Sequence, residues 1–316
     1  MEHVRWLAEP ELTNPIVVAG FTGWNDAGDA ASTAIRTLIQ SGGIDGTGAR
    51  ALAEIDPEPF TDFATVRPQV RLDEHHRRHI VWPTVGIWGL STPGADVVLV
   101  LGPEPALRWR AFSELVVGLA QHLGSPLVLT LGALLADVPH TRPVQLIGTA
   151  TDHDLVERFD LERSRYEGPT GIVGVLQHAL TEAGVPSASL WAAVPGYASQ
   201  IPSPKAAVAL VDRACAMVGM PAPVAGLARQ ADEYEARVSS LVADDDDLEL
   251  YVSRLESMLD EMAVDDELDE MANGTVPEGE SEGQDEGQGQ GDLGSADPDH
   301  LVEEVERFLR DRDTDD

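Results

Sequence analysis

Residues 96–134 read DVVLVLGPEPALRWRAFSELVVGLAQHLGSPLVLTLGAL. The runs Asp96–Gly102 and Pro126–Leu134 are apolar without alternation, the pattern of strands buried on both faces in a parallel sheet. Between them, GPEPALRWRAFSELVVGLAQHL has helical spacing with proline at its start. Parallel neighbours need a long connection, so the stretch reads as a βαβ crossover. Upstream, IVVA (Ile16–Ala19) is a short buried strand entering the turn GFTGWNDAG. After the turn, Ala30, Ala34, Ile35 and Leu38 recur at helical spacing. Brief β-like pieces, ALAEI, ATVRPQVRL, HIVW and VGIWGL, fill the gap before Asp96. Downstream, VQLIGTA reads as a strand, GPTGIVGVLQHALTEAG as a helix, SLWAAV as a strand and SPKAAVALVDRACAMVG as a helix. The expected fold is α/β, a mixed, mainly parallel sheet flanked by helices over residues 1–222.

Past Pro221 and Pro223 the strands stop. Leu227, Ala231, Tyr234, Val238 and Leu241 form one apolar stripe; Leu248, Tyr251, Leu255, Met258 and Met262 form a second. Two such stripes joined by Asp244–Asp247 predict an antiparallel helical hairpin over 223–272, the acidic turn capping its second helix. Residues 273–296 are Gly, Glu, Asp and Gln with little apolar, so they read as a disordered acidic linker. Asp297-Pro298 then starts a short amphipathic helix over 297–316, on which Leu301, Val305, Phe308 and Leu309 are partner-docking candidates.

The net charge is −34, and residues 243–316 carry 28 acidic against 4 basic residues. Such a polyanion repels phosphate backbones and anionic head groups, so neither nucleic acid nor membrane is an expected partner. The N-terminus lacks a secretory signal pattern and no apolar run is long enough to span a bilayer, which leads to the expectation of a cytoplasmic protein. Cys215 is the single cysteine and lies in an apolar helix pattern, as a buried, inert thiol would.

Candidate chemistry gathers where strands end. The turn Gly20–Gly28 precedes a helix, where α/β sheets form ligand crevices and free N–H groups can hold an anion. Trp24, Asn25 and Asp26 are its candidate pocket residues, and Gly23 and Gly28 its backbone candidates. The spacing fits neither a P-loop nor a dinucleotide fingerprint. The structural alternative is that the glycines only make the turn while Asn25 or Asp26 caps the helix. A second glycine-rich helix entry, Gly168 to Gly174, offers Gly168 and Gly171 to an anion with Thr170 as cap, or merely lets a helix approach the sheet. Glu104 stands after the buried strand at Asp96–Gly102. In DVPHTRP, His140 and Arg142 suit proton transfer and anion binding, or they fix a loop. His75, His76 and His79 surround Arg77 and Arg78, which oppose a cation; no metal and no cofactor is expected. No HExxH, CxxC pair or GxSxG elbow occurs, and no catalytic reaction is announced.

Taken in order, GFTGWNDAGDAA, AEIDPEPFTDF, VRPQV, LGPEPALRWRAF, LGALLADVPHTRP, YEGPTGIVGVL and SLWAAVPGY resemble the bacterial, high-GC branch of the proteasome assembly chaperone 2 family, from about Ile16 to Val218. The resemblance implies a phosphorylase/hydrolase-like sheet, homo-oligomers such as a trimer, and proteasome-related or other protein partners. It also carries an alternative, an ATP-dependent ligase-like or other small-ligand enzyme using a pocket at the strand ends. Archaeal members end in a hydrophobic-Tyr-X tail; this sequence ends Arg312-Asp-Thr-Asp-Asp316, so any proteasome contact is expected elsewhere.

Overall fold

The computed structural model describes residues 2–41, 48–92 and 94–273, with side chains through 262. The expected linker beyond 273 and the tail helix bearing Leu301, Val305, Phe308 and Leu309 lie outside the described residues. Two compact units divide the chain, one comprising residues up to 165 with 169–240, the other 166–168 with the residues from 241 onward.

Described strands and helices follow in the order β1 (Val4–Trp6), β2 (Ile16–Thr22), α1 (Ala30–Gln40), β3 (Arg50–Ile55), β4 (Gln69–Leu72), β5 (Arg78–Val81), β6 (Val85–Ser91), β7 (Asp96–Pro103), α2 (Trp109–His122), β8 (Val128–Ala136), β9 (Leu146–Ala150), α3 (His153–Phe159), α4 (Ile172–Glu182), β10 (Ser187–Pro195), α5 (Pro204–Val218), α6 (Ala225–Ala243) and α7 (Asp246–Asn273). Eight strands form one sheet in the order β1-β3-β6-β7-β2-β8-β10-β9, and β4 and β5 form a separate ribbon. Strands β7, β2, β8 and β10 run parallel. The crossover β7–α2–β8 spans β2, which lies between its two strands. Beyond this parallel core the pairing is antiparallel, β1 to β3, β3 to β6, β6 to β7 and β10 to β9. Strands β3 and β6 are joined without a crossover helix, which parallel neighbours would require.

Both faces of the sheet are covered. Along β7, Val97, Leu99 and Leu101 join the core beneath α1 and α5, whereas Val98 and Val100 join the core beneath α2 and α4. The same period of two splits β2, Val18 to the first face and Val17, Ala19 and Phe21 to the second. On α1 the inward positions are Ala30, Ala31, Ala34, Ile35 and Leu38, mostly small, so the helix lies close to the sheet. Helix α5 starts with Pro204 behind Ser203, whose side chain accepts from the Ala206 N–H, and it ends at Gly219 with φ 83°.

Two local features depart from the sequence reading. Helix α3 has no counterpart in the expected pattern; seven residues give too short a stripe to read, but Asp152 caps it by accepting from Asp154 and Leu155. On α6 the buried positions are Leu227, Tyr234, Val238 and Val242, with Leu241 exposed. The stripe follows steps of four near its end because a straight helix drifts against a 3.5-residue repeat. Asp245 accepts from the N–H groups of Asp247 and Leu248 and so caps α7.

Cys215 is buried on α5, and burial, with the charge of Asp212 second, pushes its thiol up to about 12. Labelling with iodoacetamide at about pH 8 is expected to spare the native chain and to modify Cys215 only on unfolding, because the thiolate is the nucleophile. Rapid labelling of the folded protein, followed by mass spectrometry, would show that α5 opens locally.

Candidate functional site

The C-terminal ends of β7, β2, β8 and β10 all carry loops at the same edge of the parallel core. Connections leaving β2 and β7 go to opposite faces, α1 on one and α2 on the other. Neighbouring strands with such diverging exits create the crevice where open α/β sheets hold ligands.

Strand β2 ends at Thr22, whose carbonyl accepts from the Glu104 N–H at 2.9 Å. The turn that follows is fixed to β8 as well, since the Ala133 N–H donates to the Asn25 carbonyl at 2.9 Å. Into this corner comes the Glu104 carboxylate. Its Oε1 accepts from Asn25 Nδ2 at 2.9 Å and from the backbone N–H of Ile172, the first residue of α4, at 2.8 Å. Its Oε2 receives a longer contact, 3.4 Å, from the Trp24 N–H. A helix start has unpaired N–H groups and a positive end, and Glu104 supplies the acceptor.

Glycines make this closeness possible. A side chain at Gly171 would meet Asn25 Nδ2 and Oδ1 at 2.4 Å, and Gly23 adopts φ 123° with its missing Cβ 3.3 Å from Glu104. Gly28, at φ 56°, donates no side chain to a contact where Ser203 Cβ would be 3.0 Å away. Thr170, expected as the cap of α4, does not cap it. The N-cap is Gly171 without a side-chain bond, and Glu104 acts from across the sheet instead. Gly168 lies in the other compact unit, against the Tyr166 ring. At α4 the chain's own Glu104 carboxylate accepts from the Ile172 N–H, and among the described residues no glycine N–H donates to it.

Asn25 and Asp26 are 1% and 6% exposed, and Trp24 is 43% exposed. Asp26 Oδ1 accepts from the Ser32 N–H at 3.0 Å, capping α1 from beyond the intervening turn. Its Oδ2 and the Asn25 Oδ1 are buried without hydrogen-bond partners. Burial raises the Asp26 carboxyl above its ordinary value, and the bonds from Ser32 only partly offset that. The folded state therefore holds this proton to higher pH than the unfolded chain, and the contribution of Asp26 to stability falls as pH rises above the ordinary carboxylate range. In thermal unfolding, the midpoint of Asp26→Asn minus that of the unaltered protein is expected to grow from about pH 4 to about pH 7; a flat difference would mean that folding does not shift the carboxyl.

His140 and Arg142 belong to a different constellation. They line a recess of about 280 Å³, its mouth included, together with Gln145, Ser203, Lys205 and Tyr234. Asn25, Asp26, Glu104 and Thr170 are not among the residues that line it. His140 is 3% exposed, and both ring nitrogens are engaged, Nδ1 with the Tyr197 hydroxyl and Nε2 with Ser239 Oγ, each at 2.9 Å. The Tyr197 oxygen also accepts from the His140 N–H at 2.8 Å, and Ser239 donates to the Glu235 carbonyl at 2.8 Å. One assignment consistent with these bonds has Tyr197 donating to Nδ1 and the Nε2–H donating to Ser239. His140 then has no lone pair left for a substrate.

Lys205, the single lysine of the chain, donates to the His140 carbonyl and to Glu235 Oε2, both at 2.5 Å. The sequence reading missed Lys205, Tyr197, Tyr234 and Ser239; only the uniqueness of the lysine marked any of them. Gln145 Oε1 and the Tyr234 hydroxyl are buried without a partner of ordinary geometry. Burial raises the Tyr234 hydroxyl, and Ser203 stands near enough to ease that rise without making such a bond. Among the described residues no three His, Cys, Asp or Glu side chains cluster as metal ligands, and no helix is long and apolar enough to cross a membrane.

Because His140 ties the loop after β8 to α6, His140→Ala is expected to cost about 2–3 kcal/mol by emptying a buried position and removing both ring hydrogen bonds. Denaturant unfolding measures it; a loss below about 0.5 kcal/mol would show that water replaces the imidazole without penalty.

A parallel core with antiparallel flanks defines a mixed α/β scaffold. The sequence pattern of the PAC2 family matches residues 20–242, and the chain belongs to that family. A PAC2 family protein from Streptomyces avermitilis is 45% identical, with TM-score 0.69 over 75% of this chain and 99% of that one. A proteasome-assembly chaperone homologue from Mycobacterium tuberculosis is 42% identical, with TM-score 0.67 and the same coverage of 75% and 99%. An archaeal proteasome activator from Pyrococcus furiosus, 19% identical with TM-score 0.60 over 75% and 97%, shares the fold. No curated protein matches the chain.

Proposed function

We propose that this chain is a protein-binding platform of assembly-chaperone type, working in the cytoplasm as a homo-oligomer on proteasome-related partners and catalysing no reaction of its own. The observation that carries this reading is the Glu104 carboxylate. It occupies the α4 helix start in the crevice where an α/β enzyme would place the anionic part of a substrate. Further support comes from the spent hydrogen-bonding capacity of His140 and from the thiol form of Cys215. The names of its relatives, a proteasome-assembly chaperone homologue and a proteasome activator, point to the class of partner. On this reading the tail residues Leu301, Val305, Phe308 and Leu309 are available for docking the partner.

The test mixes the purified full chain with separately purified proteasome α- and β-subunits from the source organism and follows assembly by native mass spectrometry. Formation of a defined complex with α-subunits, or a change in the rate at which half-proteasomes appear, is expected. Absence of both at subunit concentrations of about 50 µM, well above the range of specific complexes, would remove the proteasome from the proposal.

A further inference from the structure

Strands β4 and β5 form a ribbon outside the main sheet in which every residue is exposed. Val70 pairs with Ile80 and Leu72 lies two residues along, so these three share one face. They are 50%, 51% and 59% exposed, and Trp82, just past the ribbon and packed edge-on to Phe63, is 48% exposed. Arg78, opposite Leu72, shares that face, and the other face presents Gln69, Arg71, His79 and Val81. A two-stranded ribbon alone in water is marginally stable, and an apolar face of this kind marks a surface that something covers.

Charge says what covers it. Residues 67–82 hold four arginines against Asp73 and Glu74, whereas the rest of residues 1–242 holds 25 acidic and 13 basic residues. The ribbon is a basic arm on an acidic body. The family match runs through the ribbon and ends at 242, before the tail, so an occupant within the body itself is favoured. We propose that the ribbon docks on the acidic body of a second copy of this chain, its Val70, Leu72 and Ile80 face buried and its arginines set against carboxylates.

Contact between two such apolar faces is disfavoured, because it would set Arg78 of one copy near Arg78 of the other. An arm-to-body contact made reciprocally closes a two-fold dimer, and made head to tail it closes a ring such as a trimer. This rests on the homo-oligomer part of the proposed function and gives it a location.

Native mass spectrometry and light scattering on the full chain test it, with Leu72→Asp/Ile80→Asp and, as a milder change, Arg71→Glu/Arg78→Glu. All four positions are exposed, and circular dichroism confirms that each variant folds. The unaltered chain is expected to form one closed oligomer at about 50 µM. Both variants are expected to shift it to monomer, with at least about a tenfold rise in dissociation constant, and about 1 M salt is expected to weaken it in the same direction. A monomeric unaltered chain would overturn both the oligomer and the arm. An oligomer that both ribbon variants leave intact would overturn the arm alone. If Phe308→Asp/Leu309→Asp dissociates the oligomer as fully as the ribbon variants, the tail is the occupant and the proposal fails.

Discussion

One carboxylate joins three segments that are far apart in sequence. Glu104, just past β7, receives the side chain of Asn25 from the turn after β2 and the first N–H of α4. A buried helix end cannot leave its N–H groups unpaired, and a partly buried carboxylate needs hydrogen bonds to offset its lost hydration. Each solves the other's problem, and the geometry of the parallel edge follows. Glycine at 171 is then a requirement of packing, because any side chain there would strike Asn25. The exposed Trp24 is held at the rim by the same carboxylate through its backbone.

A second anchor, around His140, orders the neighbouring strand ends by a chain of hydroxyls. Tyr197 and Ser239 come from opposite sides of the imidazole, and Lys205 fixes the loop carbonyl beside it. The two anchors use groups that enzymes employ for chemistry, a carboxylate, a histidine and a lysine, and direct them inward at partners within the fold.

The parallel core was legible in the sequence because its strands are apolar without alternation and its helices have a clear stripe. The antiparallel flanks were not, since the short pieces between Arg50 and Ser91 show no period long enough to orient them. Helix α3 escaped for the same reason, its start marked only by Asp152. Asn25, Asp26, Glu104 and Gly171 were identifiable as residues at strand ends. Their mutual bonding was not, because side chains 79 and 68 positions apart meet only once the sheet exists. Thr170 looked like a cap by residue type and position, and a distant carboxylate took the role instead.

The placement of β2 between β7 and β8 also bears on how the protein is made. Strand β2 emerges early, yet its two neighbours end at Pro103 and Ala136, and β8 in turn waits for β10, complete only at Pro195. Through much of synthesis the nascent chain holds an apolar strand with bare edges, a state prone to mispairing. Such contacts between distant residues make folding slow relative to helical domains. The small antiparallel unit of β3 and β6 can close first, leaving β7 as the template on which β2 and then β8 assemble.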